Sequence, residues 1–569
     1  MKGKDKSGGK GGGFANLDKT LFFIPMILVL ALSMAVFLFP EGSNNVINWV
    51  FQFTTETMGW TMQIFYFIVI FIMAYLIFGK IGKKRFGAEK PEFSNLAWYG
   101  LLFTGGTSAT IVYWGAIDWF MRFEAPPFGL TPFSDEAFLW GTSYTLFDWG
   151  TASLGIYSVV AVAFGFLFFV KREETNRPSV ACESLLKKRT YGPLGKLIDI
   201  IYMFGILGGV GASVGLSTPL LAELLHSFFG WENDIVLNAG LIVFWTVFFI
   251  IGVYGGLKKT VEMMSNWRMW LIIAGMLIIF LCSNKTFVLH TFMDSLGNML
   301  ANYFRMNFYS DFLGTDGGYP YAWTIFFYGW WLAYALSTGI YIARISRGRT
   351  VREVMIAGTG ITVACIYAHH VFLGYYTAEV YNSGVIDLVG IYSAEGAYAA
   401  IVAVWQTLPG AFGTIVPILM ALLIFISGVT VINGTAYSLA IVSTKKLKAT
   451  EEPGRFNRVL WAFSLGAIGL ALIFLGGLKP VQTACVCTGL LTMIVIILIL
   501  YSFFRYDTKK WDSYMKVQVR EKKAKGETIA FDDLKDLLDE DDSSAGGEPC
   551  PAENGVTITE QEYGNKVSS

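Results

Sequence analysis

The chain has 569 residues, with 43 Lys plus Arg balanced by 43 Asp plus Glu, 54% hydrophobic and 15% charged residues, and a mean hydropathy of +0.51. A water-soluble protein of this size has no means of covering so much apolar surface, so the composition excludes a soluble enzyme or binding module and implies a polytopic membrane protein. No nucleic-acid partner is expected, but the zero net charge itself says nothing about partners; what informs is how the charges are sorted along the chain.

Residues 1–15 are Gly- and Lys-rich and are expected to be disordered. Twelve apolar runs of about 20 residues follow, the length that carries a helix across hydrocarbon. Spans 1 and 2 centre on 21–40 and 60–80 and form a peripheral pair within 16–90. Spans 3 to 7 centre on 97–120, 151–170, 198–224, 236–256 and 269–284, and spans 8 to 12 on 322–345, 353–376, 411–443, 456–477 and 481–504. Between spans 7 and 8, residues 286–321 have helical apolar spacing broken by polar groups, which predicts an amphipathic helix lying at the outer interface. Residues 506–569 are polar and contain the acidic run FDDLKDLLDEDD. They read as a solvated tail, with a regulatory contact to basic loops or lipid as the alternative.

Lysine and arginine alternate between the loops. The N-terminus and every even-numbered loop are basic, from Lys80, Lys83, Lys84 and Arg85 to Lys445, Lys446 and Lys448, whereas the odd loops hold only Arg122, Lys285, Arg305 and Lys479. That alternation predicts a multi-pass cell-membrane protein with both termini cytoplasmic. The first apolar run is long and has no small-residue cleavage site, so it is read as a span rather than a signal peptide. Cys485 and Cys487 lie within an apolar helix and read as packing rather than metal ligands.

An echo links TIVYWG in span 3 with TIFFYGWW in span 8. An offset of five spans reverses the direction of the second copy, the signature of an inverted repeat in which spans 3–7 within 91–285 match spans 8–12 within 322–505. Span 5 holds GILGGVGASVGLSTPLL and span 3 holds TGGTS. Each is compatible either with close helix packing or with an unwound turn facing a cavity.

Span 8 carries the strongest functional pattern. Trp323, Phe327, Trp331, Tyr334 and Thr338 recur at steps of three and four, so they share one helix face, with Trp330 beside it. An interfacial belt belongs at helix ends, but Trp330, Trp331 and Tyr334 sit mid-span. Core packing or an aromatic box remains. A quaternary ammonium has no N–H to donate and is held instead against the negative faces of Trp and Tyr. Such a box admits a cation without a carboxylate, which is costly at mid-membrane.

The segment WTIFFYGWWLAYALSTGIYIARISRGRTVRE resembles the signature of the betaine/carnitine/choline transporter family, supported by YWGAIDW, APPFGL, GASVGLSTPLLAELL and LGGLKPVQTA over about residues 15–510. By motif the chain is most similar to the carnitine/γ-butyrobetaine antiporter branch. The resemblance implies twelve helices, a leucine-transporter-type inverted repeat, trimers and alternating access. It implies a substrate box of Trp330, Trp331 and Tyr334 on span 8 with Trp149 and Tyr157 on span 4, Thr338 near the substrate carboxylate, and Trp323 at an outer aromatic position. It also marks departures: Leu154 and Met121 stand where the branch has a tryptophan and a tyrosine, and Asp148 replaces a histidine. Met121 therefore enters the expected lining, and Asp148 is expected to hold a hydrogen-bonded partner at the mouth of span 4. Asp118 is expected to pair with a neighbouring polar group.

Sodium-coupled relatives carry a Thr-Ser pair on span 10, where this chain has Thr430 and Val431. A valine offers sodium no oxygen. Arg268, at the expected start of span 7, aligns with an arginine that the antiporter branch uses in place of that ion. The resemblance thus implies sodium-independent exchange of one quaternary ammonium compound for another with no cofactor, in a homotrimer surrounded by lipid. A sodium- or proton-coupled symporter is the rival. An enzyme is disfavoured because His369 and His370, adjacent on a helix, point about 100° apart and make poor co-ligands. A channel is disfavoured because no charged ring or carbonyl-filter motif appears.

Overall fold

A computed structural model describes residues 16–105, 109–173, 175–255, 258–445, 452–476, 478–527, 531 and 534. The Gly/Lys-rich segment 1–15 and nearly all of the acidic run lie outside the described residues. Among the described residues the chain is helical, and extended pairing is limited to two single bridges, Leu17 with Thr444 and Arg85 with Thr350.

The helices are α1 (Lys19–Leu38), α2 (Pro40–Gln52), α3 (Gly59–Phe78), α4 (Asn95–Gly105), α5 (Ala109–Glu124), α6 (Asp135–Asp148) and α7 (Thr151–Gly165). The next are α8 (Pro193–Phe229), α9 (Ile235–Gly255), α10 (Lys258–Cys282), α11 (Lys285–Phe308), α12 (Thr324–Arg344) and α13 (Val351–His369). The last are α14 (Tyr375–Ser383), α15 (Leu388–Glu395), α16 (Ala397–Gln406), α17 (Phe412–Val442), α18 (Arg455–Leu475), α19 (Lys479–Ser502) and α20 (Thr508–Ala524). Among the described residues nine helical stretches are long and apolar enough to cross a membrane, and α10 with α11, bent by 107°, makes a tenth. The α4–α5 pair and α9 occupy spans 3 and 6, so each of the twelve expected spans has a helix in place.

Local chemistry sets several boundaries. Ser134 caps α6 by accepting from Ala137 N, with Asp135 and Glu136 in the first turn, where the helix dipole favours acids. Thr350 and Glu353 form a reciprocal capping box on α13. At the centre, α12 packs against α7, α19 and α8. A Cβ added at Gly489 would come within 2.0 Å of the Gly329 carbonyl oxygen, so α12 and α19 cross backbone on backbone.

Six expectations are corrected or, for span 5 where two readings stood open, decided. Arg122 is not in an outer loop but inside α5 with its side chain fully buried. Span 4 starts at Asp135 rather than 151 and breaks at Trp149–Gly150, where Gly150 is extended at ψ −170°. Its first half is masked in hydropathy by Asp135, Glu136 and a run of Thr and Ser. The Gly-rich part of span 5 is not unwound: α8 runs through it, and a Cβ at Gly209 would meet the Tyr334 ring at 3.0 Å, so the small residues serve close packing. Residues 106–108 of TGGTS lie outside the described residues. Span 7 begins at Lys258, which puts Arg268 well inside α10 rather than at its start. The expected interfacial helix, α11, stops at Phe308, short of residue 321.

The sixth correction concerns the polar tail, which begins as a docked helix. On α20, Trp511 is buried beside the rings of Phe86, Phe166 and Phe503, and Gln518 Nε2 donates to the carbonyls of Phe169 and Val170 at 2.8 and 2.9 Å. Lys84 pairs with Asp512 at 2.8 Å. These contacts and the two bridges gather the basic loops and α20 at one end of the bundle, here termed the basic end.

Candidate functional site

The aromatic stripe of α12 divides in two. Trp330, Trp331, Tyr334 and Thr338 line a cavity of about 480 Å³, joined by Trp149 and Tyr157 from span 4, Ser213 from α8, and Thr430 and Val431 from α17. Trp323 and Phe327 do not reach it. They lie towards the opposite end, where the Arg122 guanidinium carbon sits 4.7 Å from the Trp323 ring centre and 5.2 Å from that of Phe327.

The break in span 4 builds one wall. The chain leaves helical geometry at Trp149, and its indole meets Trp331 at 4.6 Å between ring centres, inclined by 63°. Trp330 and Trp331 are parallel within 5°, with centres 5.5 Å apart. Hydrogen bonds fix the rings. Trp331 Nε1 donates to the Asp148 carbonyl at 2.8 Å, Trp149 Nε1 to Asp118 Oδ2 at 3.2 Å, and the Tyr334 and Ser213 hydroxyls lie 2.6 Å apart. An indole tied down at its N–H keeps a defined face to the cavity.

Behind that wall lies a buried charge cluster. Arg122 Nε and Nη2 donate to the two Asp118 oxygens at 3.0 and 3.3 Å, and Nη1 donates to Asp148 Oδ2 at 2.7 Å and to the Tyr319 hydroxyl at 3.1 Å. Asp118 and Asp148 each have a hydrogen-bonded partner, as expected, but the partner is a shared arginine. Arg122 was legible as a basic residue four positions after Asp118. Its assignment to a loop hid it.

Two expected lining residues lie elsewhere. Met121 is half-buried with its sulfur 3.9 Å from the Tyr113 hydroxyl, outside the cavity lining, and Trp323 covers Arg122. Leu154 does line the cavity.

At the other end of the cavity Arg268 Nη1 donates to Thr430 Oγ1 at 3.2 Å, beside Val431. The lining continues to Asn266, Gly434 and Tyr341, which are exposed, so the cavity communicates with the basic end. Towards the opposite end it is sealed by buried Trp114, Phe326, Phe327 and Trp323. Among the described residues the cavity lining contains aromatics, hydroxyls and Arg268 but no carboxylate. Chemically it can hold a soft cation on ring faces and a carboxylate or other acceptor on its hydroxyls.

A family model for betaine/carnitine/choline family transporters matches residues 20–511. That is most of the chain, and the protein belongs to this family: an all-helical, multi-pass membrane transporter of the leucine-transporter type, not an enzyme.

Proposed function

We propose that this member of the family carries quaternary ammonium compounds of the betaine/carnitine type by sodium-independent exchange, one substrate against another, through alternating access. The substrate ammonium lies among Trp149, Trp330, Trp331, Tyr157 and Tyr334, with Thr338 near its carboxylate. Trp323 and Met121 meet the substrate only in states opened to the side away from the basic end, which is the cytoplasmic one. Such a protein would sit in the cell membrane as a homotrimer.

The observation that carries this reading is a cavity lined by three tryptophans and three tyrosines with no lining carboxylate among the described residues. A primary ammonium, strongly hydrated in water, would find no carboxylate there to offset its desolvation, whereas a methylated ammonium gains about 0.5–2 kcal/mol from each ring face. Exchange is supported by the Arg268–Thr430 contact beside Val431. A guanidinium that stays with the protein supplies positive charge where a bound ion would otherwise need oxygen ligands.

Counterflow in proteoliposomes tests both halves. Labelled substrate should enter vesicles preloaded with an unlabelled quaternary ammonium compound equally well with and without sodium. Steep dependence on an inward sodium gradient, with no need for internal substrate, overturns the exchange reading.

A further inference from the structure

The cluster behind the box has an unbalanced charge. Asp118, Arg122 and Asp148 are all fully buried, and the ion pairs formed are those of one guanidinium with two carboxylates. Asp118 uses both oxygens on Arg122, whereas Asp148 uses only Oδ2. Asp148 Oδ1 is buried and has no hydrogen-bond partner among the described residues, and the Tyr144 hydroxyl one turn earlier on the same helix has none among them either. A carboxylate oxygen without a donor in a dry interior is strongly disfavoured unless a cation joins it.

The substrate would be that cation's competitor. Two of the box's three tryptophans are hydrogen-bonded to this cluster, Trp331 through the Asp148 carbonyl and Trp149 through Asp118. A positive charge on their faces therefore lies one indole away from this cluster, which is net negative whenever Asp148 is ionised. Resting on the reading of the box as a quaternary ammonium site, we propose that Asp148 is a proton-binding site linked to the substrate: it holds one exchangeable proton while the box is empty and releases it when the ammonium enters. The O–H bond of the acid breaks, the proton passes to water, and the fixed charge of the substrate replaces it.

Other groups face Asp148. Asp118 and Arg122 approach from α5, Tyr319 and Tyr328 from the start of span 8, Tyr303 from α11, and Tyr144 from its own helix. The His370 ring lies 4.9 Å from that of Trp149, inclined by 56°, and is the rival proton holder. The sign follows from charge: deprotonation makes the cluster negative and favours a cation, so the substrate binds more tightly as pH rises.

The test uses the purified full-length chain in sodium-free, weakly buffered detergent solution with a pH-indicating dye, trimethylglycine as the probe, and tryptophan fluorescence to report binding. About one proton should appear per substrate bound. Affinity should strengthen with pH by about 5- to 150-fold, the usual range for two coupled sites. Asp148→Asn should bind at the low-pH affinity at every pH and release nothing, while His370→Gln should still release the proton. Infrared difference spectra of the substrate-free protein should show a protonated carboxylic acid band that Asp148→Asn removes, a readout independent of any ligand. Binding without proton release, release that persists in Asp148→Asn or disappears in His370→Gln, or absence of the acid band would each overturn the proposal. Failure of trimethylglycine to bind while the acid band is present would instead sink the reading of the box and leave the proton assignment standing.

Discussion

The two halves of the α12 stripe share a helix face and a residue chemistry but differ in what they hold. Trp323 and Phe327 stack on Arg122, a cation that belongs to the protein and is neutralised by its own acids. Trp331, Tyr334 and Thr338, with Trp330 beside them, face the cavity, and among the described residues no cation of the protein lies over their rings. Aromatic density alone therefore does not mark a binding site. A ring face already occupied by a fixed guanidinium is structural, and an equivalent face turned to a cavity is available to a ligand.

The largest effect that should separate the halves is removal of the resident cation. Arg122→Leu leaves the acidic groups of Asp118 and Asp148 buried without their shared partner, and the loss of one partner of such a pair costs about 3–5 kcal/mol. Thermal melting in detergent should fall sharply for this variant, and adding substrate should not restore it. A melting curve like that of the unaltered protein would break the contrast drawn here.

Next in size is the basic-end cation. Arg268→Gln loses a charged hydrogen bond to Thr430, worth about 1.5–3 kcal/mol, and counterflow should drop roughly 10- to 100-fold. Adding Val431→Ser to that variant supplies an oxygen, and partial recovery that requires sodium is the expected outcome in the same assay.

Trp331→Ala should weaken binding of a trimethylammonium ligand by roughly 3- to 30-fold, one cation–π contact. The smallest effect is a gain. Leu154→Trp adds an aromatic wall and should tighten binding by a few-fold, read by titration calorimetry. Equal responses of Trp323→Ala and Trp331→Ala in binding would show that the stripe is not divided.

Much of this was legible in the sequence for physical reasons. A run of apolar residues long enough to span hydrocarbon leaves few alternatives, so the twelve spans could be located, and the steps of three and four placed Trp331, Tyr334 and Thr338 on one face. The split of that face was not legible, because it depends on Arg122. That residue lies in RFEAPP, where a nearby acid and two prolines resemble the end of a helix, and its burial comes from tertiary pairing with Asp148 on another helix. Span 4 was cut short for a related reason: its first half is rich in hydroxyls that bond back to their own helix, such as Thr145 to the Gly141 carbonyl at 3.0 Å. The docked helix α20 was invisible to hydropathy because it buries one face, Trp511, Met515 and Val519, and exposes charge elsewhere. The small residues of span 5 left packing and unwinding equally open, and only the neighbours of Gly209 decide between them.

The central claim is that exposed ring faces, with no acid among them, recognise a permanently methylated nitrogen. Calorimetric titration of the purified protein with trimethylglycine and with glycine, in sodium-free buffer, tests it most directly. The account predicts binding of the methylated compound, weakened in Trp331→Ala, and little or no binding of glycine. Glycine binding as tightly as its trimethylated form, or a Trp331→Ala variant that binds trimethylglycine unchanged, would contradict it.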